Sequence, residues 1–225
     1  MNKYPKIVPV SDSAILLEFG YQISELIHKK LFSLITHLIN NPIHGVINIH
    51  PGYTSMLYTL DKTANIDEAI HTIKNSLDMG QNRETPEARL VEIPVLYGDS
   101  YGRDIQRVAQ FSGLNEKEII QQHQSGNYLV YFLGFSPGFP YIGGMDRALT
   151  TPRLKTPRQC VPQGSVAIAG GQTGIYPFST PGGWNLIGQT PLEIFNLSSP
   201  QNSLIQMGDK VRFKSISKDE YELLK

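Results

Sequence analysis

Residues Tyr128 to Thr190 read YLVYFLGFSPGFPYIGGMDRALTTPRLKTPRQCVPQGSVAIAGGQTGIYPFSTPGGWNLIGQT. This segment holds more than half of the chain's 20 glycines and nearly half of its 15 prolines, and no charged side chain occurs from Gln159 to Leu192. Because glycine and proline at this density interrupt helices, short strands joined by fixed turns remain. The segment therefore predicts a compact β-barrel whose uncharged turns form a preformed pocket or a docking face.

The composition of the whole chain narrows the class of protein. Its 225 residues provide for one large or two small domains, and 20 basic side chains balance 20 acidic ones. This balance argues against a nucleic-acid partner or a membrane surface. The single cysteine, Cys160, excludes an internal disulfide and fits a reducing compartment. The sequence has no signal-peptide pattern and no apolar run of the about 18 residues that a membrane helix needs. We therefore expect a soluble cytoplasmic protein.

The residues before this segment divide into two parts at a polar, proline-containing linker, Gln81–Arg89. We therefore predict an N-terminal domain at residues 1–85 and a second domain at residues 86–225. Alternating apolar residues and helix-start signals predict a small α+β sheet domain, with both helices on one face of the sheet. Its predicted elements are strands within Ile7–Phe19 and Gly45–Leu60 and helices from Ser24 to Asn40 and from Asn65 to Gly80.

The second domain begins with a predicted strand, Leu90–Tyr97, followed by two short helices. Glycines end both helices, and Asn115 with Glu118 forms a capping box for the second. The predicted helices are Arg103–Phe111 and Asn115–Gln124. After Thr190 the strand-like pieces are Leu192–Asn196, Leu204–Gln206, Val211–Ser215 and Tyr221–Leu224.

The run Gly134–Gly138 matches the G-x-S-x-G nucleophile elbow of hydrolases as a string. In that elbow the residue after the serine donates its backbone N–H to the oxyanion, and Pro137 has no N–H. A helix must also follow, which Phe139-Pro140 forbids. Ser136 is therefore not predicted to be a hydrolase nucleophile.

Nucleotide and metal signals are also absent from the sequence. The run Gly170–Gly174 suggests a phosphate cradle but lacks the G-K-[ST] ending of a P-loop. His28 and His37 are nine positions apart, which is not an i, i+4 metal spacing. We predict no metal in this chain, and no standard ATP site.

Two arginines follow prolines, at Pro152-Arg153 and Pro157-Arg158. A stiffened backbone can aim such guanidinium groups at a carboxylate or phosphate, although solvated surface arginines are the alternative. Trp184, the only tryptophan, follows Pro181-Gly182-Gly183 and either fills the barrel or anchors a partner.

Four motifs together resemble the family of 5-oxoprolinase B subunits, also called allophanate hydrolase subunit 1 or KipI-type kinase inhibitors. They are GFSPGFPYIGGM, TPRLKTPR, VPQGSVAIAGGQTGIYP and TPGGWNLIGQTP. The resemblance implies an α+β chain with a C-terminal cyclophilin-like β-barrel. It also implies a cytoplasmic enzyme component that acts with subunits A and C to open 5-oxo-L-proline to L-glutamate, using ATP that this chain alone does not bind.

The resemblance leaves two matters open. Relatives of the inhibitor type instead bind a sensor histidine kinase and block its autophosphorylation, and exposed rings at Phe135, Phe139, Tyr141 and Trp184 would suit that role. The family pattern also has Ala and Arg where this chain has Gln163 and Gln189. If the family's arginine binds substrate, activity is in doubt; if it only fixes a turn, glutamine can replace it.

We expect the glycine- and proline-fixed turns to converge on one concave face, with Arg153 and Arg158 meeting a carboxylate and with Gln172 and Tyr176 supplying hydrogen bonds. From the sequence alone, replacing Arg158 by alanine should have little effect on folding. No catalytic residue is assigned. The candidate substrate- or partner-binding residues are Phe135, Pro137, Gly138, Phe139, Tyr141, Arg153, Arg158, Gln172, Tyr176 and Trp184.

Overall fold

The computed structural model describes residues 4–78 and 87–225, which form two compact units, residues 1–87 and 88–225. The predicted domain boundary between residues 85 and 86 lies outside the described residues, as does most of the predicted linker. Among the residues described, no helix is both long enough and apolar enough to span a bilayer.

The first unit is a four-stranded antiparallel sheet with two helices, in the strand order β1-β2-β4-β3. Residues Ile15 and Leu17 of β2 are opposite Tyr58 and Met56 of β4, and all four are fully buried. The alternate residues of both strands are partly exposed, so the sheet has one fully buried face. The elements are β1 (Lys6–Ser11), β2 (Ala14–Glu18), α1 (Glu25–Asn40), β3 (Val46–Pro51), β4 (Ser55–Leu60) and α2 (Ile66–Asp78).

Helix α1 begins where the sequence predicts. The Ser24 side chain accepts a hydrogen bond from the Ile27 N–H at 3.2 Å, which satisfies one of the unpaired donors at the helix start. Leu31, Leu34 and Leu38 recur at helical spacing and are buried. The predicted cap and buried face of this helix are confirmed.

The second unit is built on a closed seven-stranded barrel in the order β10-β7-β6-β13-β5-β12-β9, and β8 pairs with β11 beside it. Its elements are β5 (Leu90–Tyr97), α3 (Ile105–Ser112), α4 (Glu116–Gln124), β6 (Tyr128–Leu133), β7 (Pro140–Gly143), β8 (Arg158–Val161), β9 (Ser165–Ala169), β10 (Gln172–Ile175), β11 (Thr180–Gly182), β12 (Asn185–Gln189), β13 (Lys210–Ser215) and α5 (Lys218–Leu224). The predicted α+β fold with a C-terminal barrel is confirmed.

Strand β13 completes the barrel by lying between β5 and β6. It runs parallel to β5, with Phe213 beside Ile93, and antiparallel to β6. Inward-facing aliphatic side chains fill the barrel, so it has a packed core rather than a channel. Fully buried members include Ile93, Val95, Val130, Ile142, Val166, Ile168 and Ile187.

Three of the predicted strand-like pieces after Thr190 are wrong. Tyr221–Leu224 is helical, because Ser217 and Glu220 form a capping box that begins α5. Leu192–Asn196 and Leu204–Gln206 are irregular, and the Asn196 side chain accepts from the N–H groups of Ser198 and Ser199 instead of pairing with a strand. Only Val211–Ser215 forms a strand, as part of β13.

Candidate functional site

Four rings from three predicted turns pack against one another beside the barrel strands. Phe139 contacts Tyr141, Tyr176 and Trp184 edge-on, with ring centroids 5.2, 5.1 and 5.2 Å apart. Tyr141 also meets Trp184 at 5.9 Å. We call these four residues the aromatic cluster.

The glycines of the motifs allow this packing. A Cβ on Gly174 would lie 2.8 Å from the Phe139 ring, and one on Gly182 would overlap the Tyr176 hydroxyl. The cluster is therefore buried: Phe139 is 1% exposed and Trp184 is 5% exposed. The expectation that these two rings are exposed is wrong, because they form core; Tyr141 is half-buried.

Phe135 differs from the other aromatic candidates because its side chain is 65% exposed. It lies in a tight turn in which the Ser136 N–H donates to the Gly134 carbonyl at 2.8 Å, and its φ is 66°. Positive φ in a bulky residue is strained and is tolerated where the surroundings enforce it. The ring of Phe139, 5.6 Å away and edge-on, provides part of that support.

Pro137 and Gly138 complete the connection from β6 to β7. Gly138 has a φ of 75°, and a Cβ there would overlap the Phe195 ring. Because the connection joins two antiparallel strands and no helix follows, it does not have the geometry of a nucleophile elbow. Ser136 therefore does not lie in a nucleophile elbow.

The segment from Arg153 to Arg158 lies along the turn Pro181–Trp184. The Leu154 N–H donates to the Gly183 carbonyl at 2.8 Å, and Arg158 pairs with Gly182 across β8 and β11. The exposed Arg153 guanidinium carbon is 5.8 Å from the centre of the Trp184 ring, a cation–π arrangement. Both arginines therefore border the aromatic cluster.

Arg158 is fixed by Asp104, a residue that the sequence reasoning missed. Its Nη2 donates to Asp104 Oδ1 at 2.6 Å, and the Leu186 N–H donates to the other oxygen, Oδ2, at 2.7 Å. Asp104 precedes α3, and its carboxylate bonds to β12 rather than capping that helix. Because 54 residues separate Arg158 from Asp104, no local pattern indicates the pair. The Nη1 of Arg158 is buried and has no partner among the described residues.

The Tyr176 hydroxyl lies close to both arginines. Burial raises its pKa, while a hydrogen bond from the Trp184 backbone and the positive charges of Arg153 and Arg158 oppose that rise. The Tyr141 side chain acts in the same direction as burial, so the positive charge near this hydroxyl comes from the two arginines. The structure brings Arg153, Arg158, Tyr176 and Trp184 together.

Gln172 lies at the start of β10, at the end of that strand away from Tyr176. Within the described part of the chain its side chain makes no hydrogen bond with the aromatic cluster or the arginines. Gly170 and Gly171 form the tight connection from β9 to β10 and do not begin a helix, so they lack the geometry of a P-loop. A ligand contact by Gln172 stays a prediction.

The two departures from the family pattern meet in the structure. The Gln189 side-chain Nε2 donates to the backbone carbonyl of Gln163 at 2.5 Å. This bond ties β12 to the turn before β9, where Gly164 also accepts from the Thr190 N–H. Glutamine at position 189 therefore fixes the turn in this chain.

The sequence did not predict a buried polar network around His123 in the barrel unit. His123 of α4 is fully buried, with its Nδ1 2.8 Å from the Tyr97 hydroxyl and its Nε2 2.9 Å from the Thr173 hydroxyl. Burial lowers the pKa of His123 from 6.5 to about 3. The only sequence signal was a histidine near the end of a short helix, which does not distinguish a buried ring from an exposed one. Across residues 4–78 and 87–225, no cluster of three or more His, Cys, Asp or Glu residues could hold a metal ion.

The comparisons with known proteins first define the class. The profile of the "Carboxyltransferase domain, subdomain C and D" matches residues 5–205. Proteins named as B subunits of 5-oxoprolinase are similar over almost the whole chain: the Bacillus subtilis (strain 168) protein is 38% identical over 98% of this chain and 96% of its own length. The Escherichia coli O157:H7 protein is 39% identical over 91% and 93%, respectively. This chain belongs to the family of 5-oxoprolinase B subunits, as its motifs predict.

Solved structures agree with the fold. PH0987 from Pyrococcus horikoshii, described as a conserved uncharacterized protein, is 40% identical, with a TM-score of 0.57 over 96% of this chain and 100% of that one. TTHA0988 is 34% identical with a TM-score of 0.78, over 91% of this chain and 40% of that one, so this chain spans less than half of TTHA0988. Kluyveromyces lactis urea carboxylase, at 18% identity and a TM-score of 0.80 over 96% of this chain and 22% of that one, shows the fold alone.

Proposed function

We propose that this chain is the B subunit of an ATP-dependent 5-oxoprolinase. In the proposed reaction, water adds to the lactam carbonyl of 5-oxo-L-proline, the ring C–N bond breaks, and L-glutamate forms while ATP is hydrolysed. One observation carries the proposal: three relatives named as B subunits of 5-oxoprolinase are 37–39% identical over at least 91% of this chain. The similarity includes both units and is not limited to a barrel that many proteins share.

The proposal assigns most of the catalytic chemistry to the other subunits, A and C. A lactam is a resonance-stabilised amide, so ring opening at neutral pH needs activation, which ATP would supply. The described residues of this chain include no metal cluster and no P-loop geometry. We therefore expect the chain alone to be inactive and the complex to bind ATP outside this chain.

Co-expression tests the proposal directly. The chain is produced with the A and C subunits encoded in the same genome, the complex is isolated by size, and glutamate release from 5-oxo-L-proline is measured with and without ATP. We expect ATP-dependent release by the complex and none by the chain alone. Release by the isolated chain would contradict the assignment of ATP chemistry to partners, and an inactive, correctly assembled complex would contradict the function.

The same preparation distinguishes the inhibitor alternative. A sensor histidine kinase from the same genome is incubated with ATP and the isolated chain, and its autophosphorylation is followed. We expect no inhibition. Inhibition at equimolar chain, together with an inactive complex, would replace the enzymatic function with the regulatory one.

A further inference from the structure

We propose that Arg153 and Arg158 form a binding site for the carboxylate of a small, flat-ringed molecule, with the Trp184 indole as its floor. The choice of 5-oxo-L-proline as the specific ligand rests on the proposed function. The site itself rests on the contacts of the two arginines.

Arg158 keeps a hydrogen-bond donor that has no partner among the described residues. Its Nη2 is committed to Asp104, but its Nη1 has no acceptor in the described part of the chain. A buried N–H without a partner is costly, whereas a guanidinium that gains a carboxylate forms strong, directional bonds. The side chain is 26% exposed, but Nη1 itself is buried, so a ligand oxygen reaches Nη1 only when the neighbouring side chains rearrange.

The positive charge of the two arginines is only partly balanced by Asp104. Asp104 neutralises Arg158. Both carboxylate oxygens of Asp104 already accept hydrogen bonds, one from Arg158 and one from the Leu186 N–H. Arg153 has no carboxylate partner among the described residues and lies over Trp184. The pair therefore carries one net positive charge next to the Tyr176 hydroxyl, which favours a monoanion.

The Trp184 ring lies beneath the Arg153 guanidinium. Trp184 is held edge-on by Phe139 and Tyr141, so its ring has one orientation. Arg153 is exposed and covers that ring. When Arg153 turns toward a bound carboxylate, it uncovers an indole face against which a five-membered ring can pack. The same site would then hold the substrate by its carboxylate and leave the lactam carbonyl free for chemistry supplied by partners.

Trp184 makes the test simple because it is the only tryptophan in the chain. The purified full-length chain is titrated with 5-oxo-L-proline, and tryptophan fluorescence is recorded. Parallel titrations use the uncharged amide of 5-oxo-L-proline and inorganic phosphate. We expect a saturable change with the acid and a dissociation constant at least about tenfold weaker with the amide, because one charge-assisted contact contributes roughly that factor.

Two variants and one control locate the site. Arg158→Lys keeps a cation for Asp104 but lacks the second guanidinium donor, and Arg153→Ala removes the unpaired charge. We expect each to weaken binding about tenfold or more. Arg212→Ala is the control, because Arg212 pairs on the surface with Glu92 and should leave binding unchanged. Circular dichroism verifies that each variant is folded.

Three results would overturn the site: no saturable change in the unmodified chain, equal binding of the amide, or unchanged binding by Arg158→Lys. Phosphate bound as tightly as the acid would show a general anion site and reject carboxylate recognition. The outcome is separable from the proposed function. If this chain does not bind the acid but its complex is active, the proposed site is wrong and the proposed function stands. If the chain binds the acid but the complex is inactive, the proposed function is wrong and the site stands.

Discussion

The His123 Nε2 and the Thr173 Oγ1 are 2.9 Å apart in the interior of the barrel unit. The Thr173 hydroxyl donates to the Ala167 carbonyl at 3.0 Å, so it accepts from the imidazole, which therefore carries its proton on Nε2. The other nitrogen, Nδ1, then accepts from the Tyr97 hydroxyl. Each member of this chain of hydrogen bonds is satisfied only while His123 is neutral.

The network predicts a specific acid sensitivity. The pKa of His123 falls from 6.5 to about 3 on folding, so below pH 6.5 the unfolded chain binds a proton that the folded chain does not. The free energy of unfolding should therefore decrease as pH falls from 6.5 toward 3, by up to about 1.4 kcal/mol per pH unit from this residue. Tyr97 and Tyr128, whose pKa values burial raises, stay neutral in this range.

His123→Gln is the matched variant, because glutamine keeps one donor and one acceptor but does not titrate. Urea unfolding of the barrel unit, followed by Trp184 fluorescence at pH 7.5 and pH 5, should show a smaller loss for the variant than for the unmodified chain. Equal losses would mean that other groups cause the acid sensitivity.

The Arg158–Asp104 pair makes Arg158 part of the fold, contrary to the expectation from sequence alone. Arg158→Ala leaves a buried carboxylate with only the Leu186 N–H as donor, and we expect the free energy of unfolding to fall by about 1–3 kcal/mol. Arg158→Lys should lose less, because it retains a cation. Urea denaturation of these two variants, and of a double variant that combines Arg158→Ala with Asp104→Asn, measures the free energy of unfolding. If the double variant is no more stable than Arg158→Ala alone, the ion pair is not the cause of the loss.

The turn between β6 and β7 predicts a small effect of substitution at Phe135 and a large one at Gly138. Phe135→Gly removes strain at a φ of 66° together with an exposed ring, so the free energy of unfolding should change by less than about 1 kcal/mol. Gly138→Ala places a Cβ inside the Phe195 ring at a φ of 75°, and should cost about 2 kcal/mol or more. Comparable effects of both substitutions on thermal unfolding would contradict the observed turn geometry.

Gln189 should matter for stability rather than for activity. Gln189→Ala removes the bond to the Gln163 carbonyl and should lower the free energy of unfolding by about 0.5–1.5 kcal/mol. Gln163→Ala is the control, because only the backbone of Gln163 accepts that bond. Glutamate release by a complex that contains Gln189→Ala should match the unmodified complex, and a loss of activity without a loss of stability would make Gln189 a ligand contact.

Elements with a local signal were predictable from the sequence. Ser24, the Asn115–Glu118 capping box and Gly113, which ends α3 with a φ of 72°, act through neighbours a few residues away. The start of helix α5 has the same kind of local signal, the capping box of Ser217 and Glu220. This signal favours a helix over the strand that was predicted for Tyr221–Leu224.

The site was predictable only in part. The motifs indicated that glycine-fixed turns carry aromatic residues and arginines. Whether a ring in such a turn faces solvent or core depends on partners far along the chain, as Phe139 and Phe135 show. The Asp104 partner of Arg158 and the Thr173 partner of His123 are 54 and 50 residues away, beyond the reach of any periodicity.

The position of β13 has a consequence for the order in which the barrel assembles during synthesis. β5, the first barrel strand to leave the ribosome, pairs along its length with β13, the last, and β6 borders β13 on the other side. Closure therefore waits until nearly the whole second unit has been translated, and until then β5 has an unpaired edge. A nascent chain arrested before Lys210 would expose that edge to other chains, so the barrel unit depends on prompt completion, or on a chaperone that covers β5 until β13 arrives.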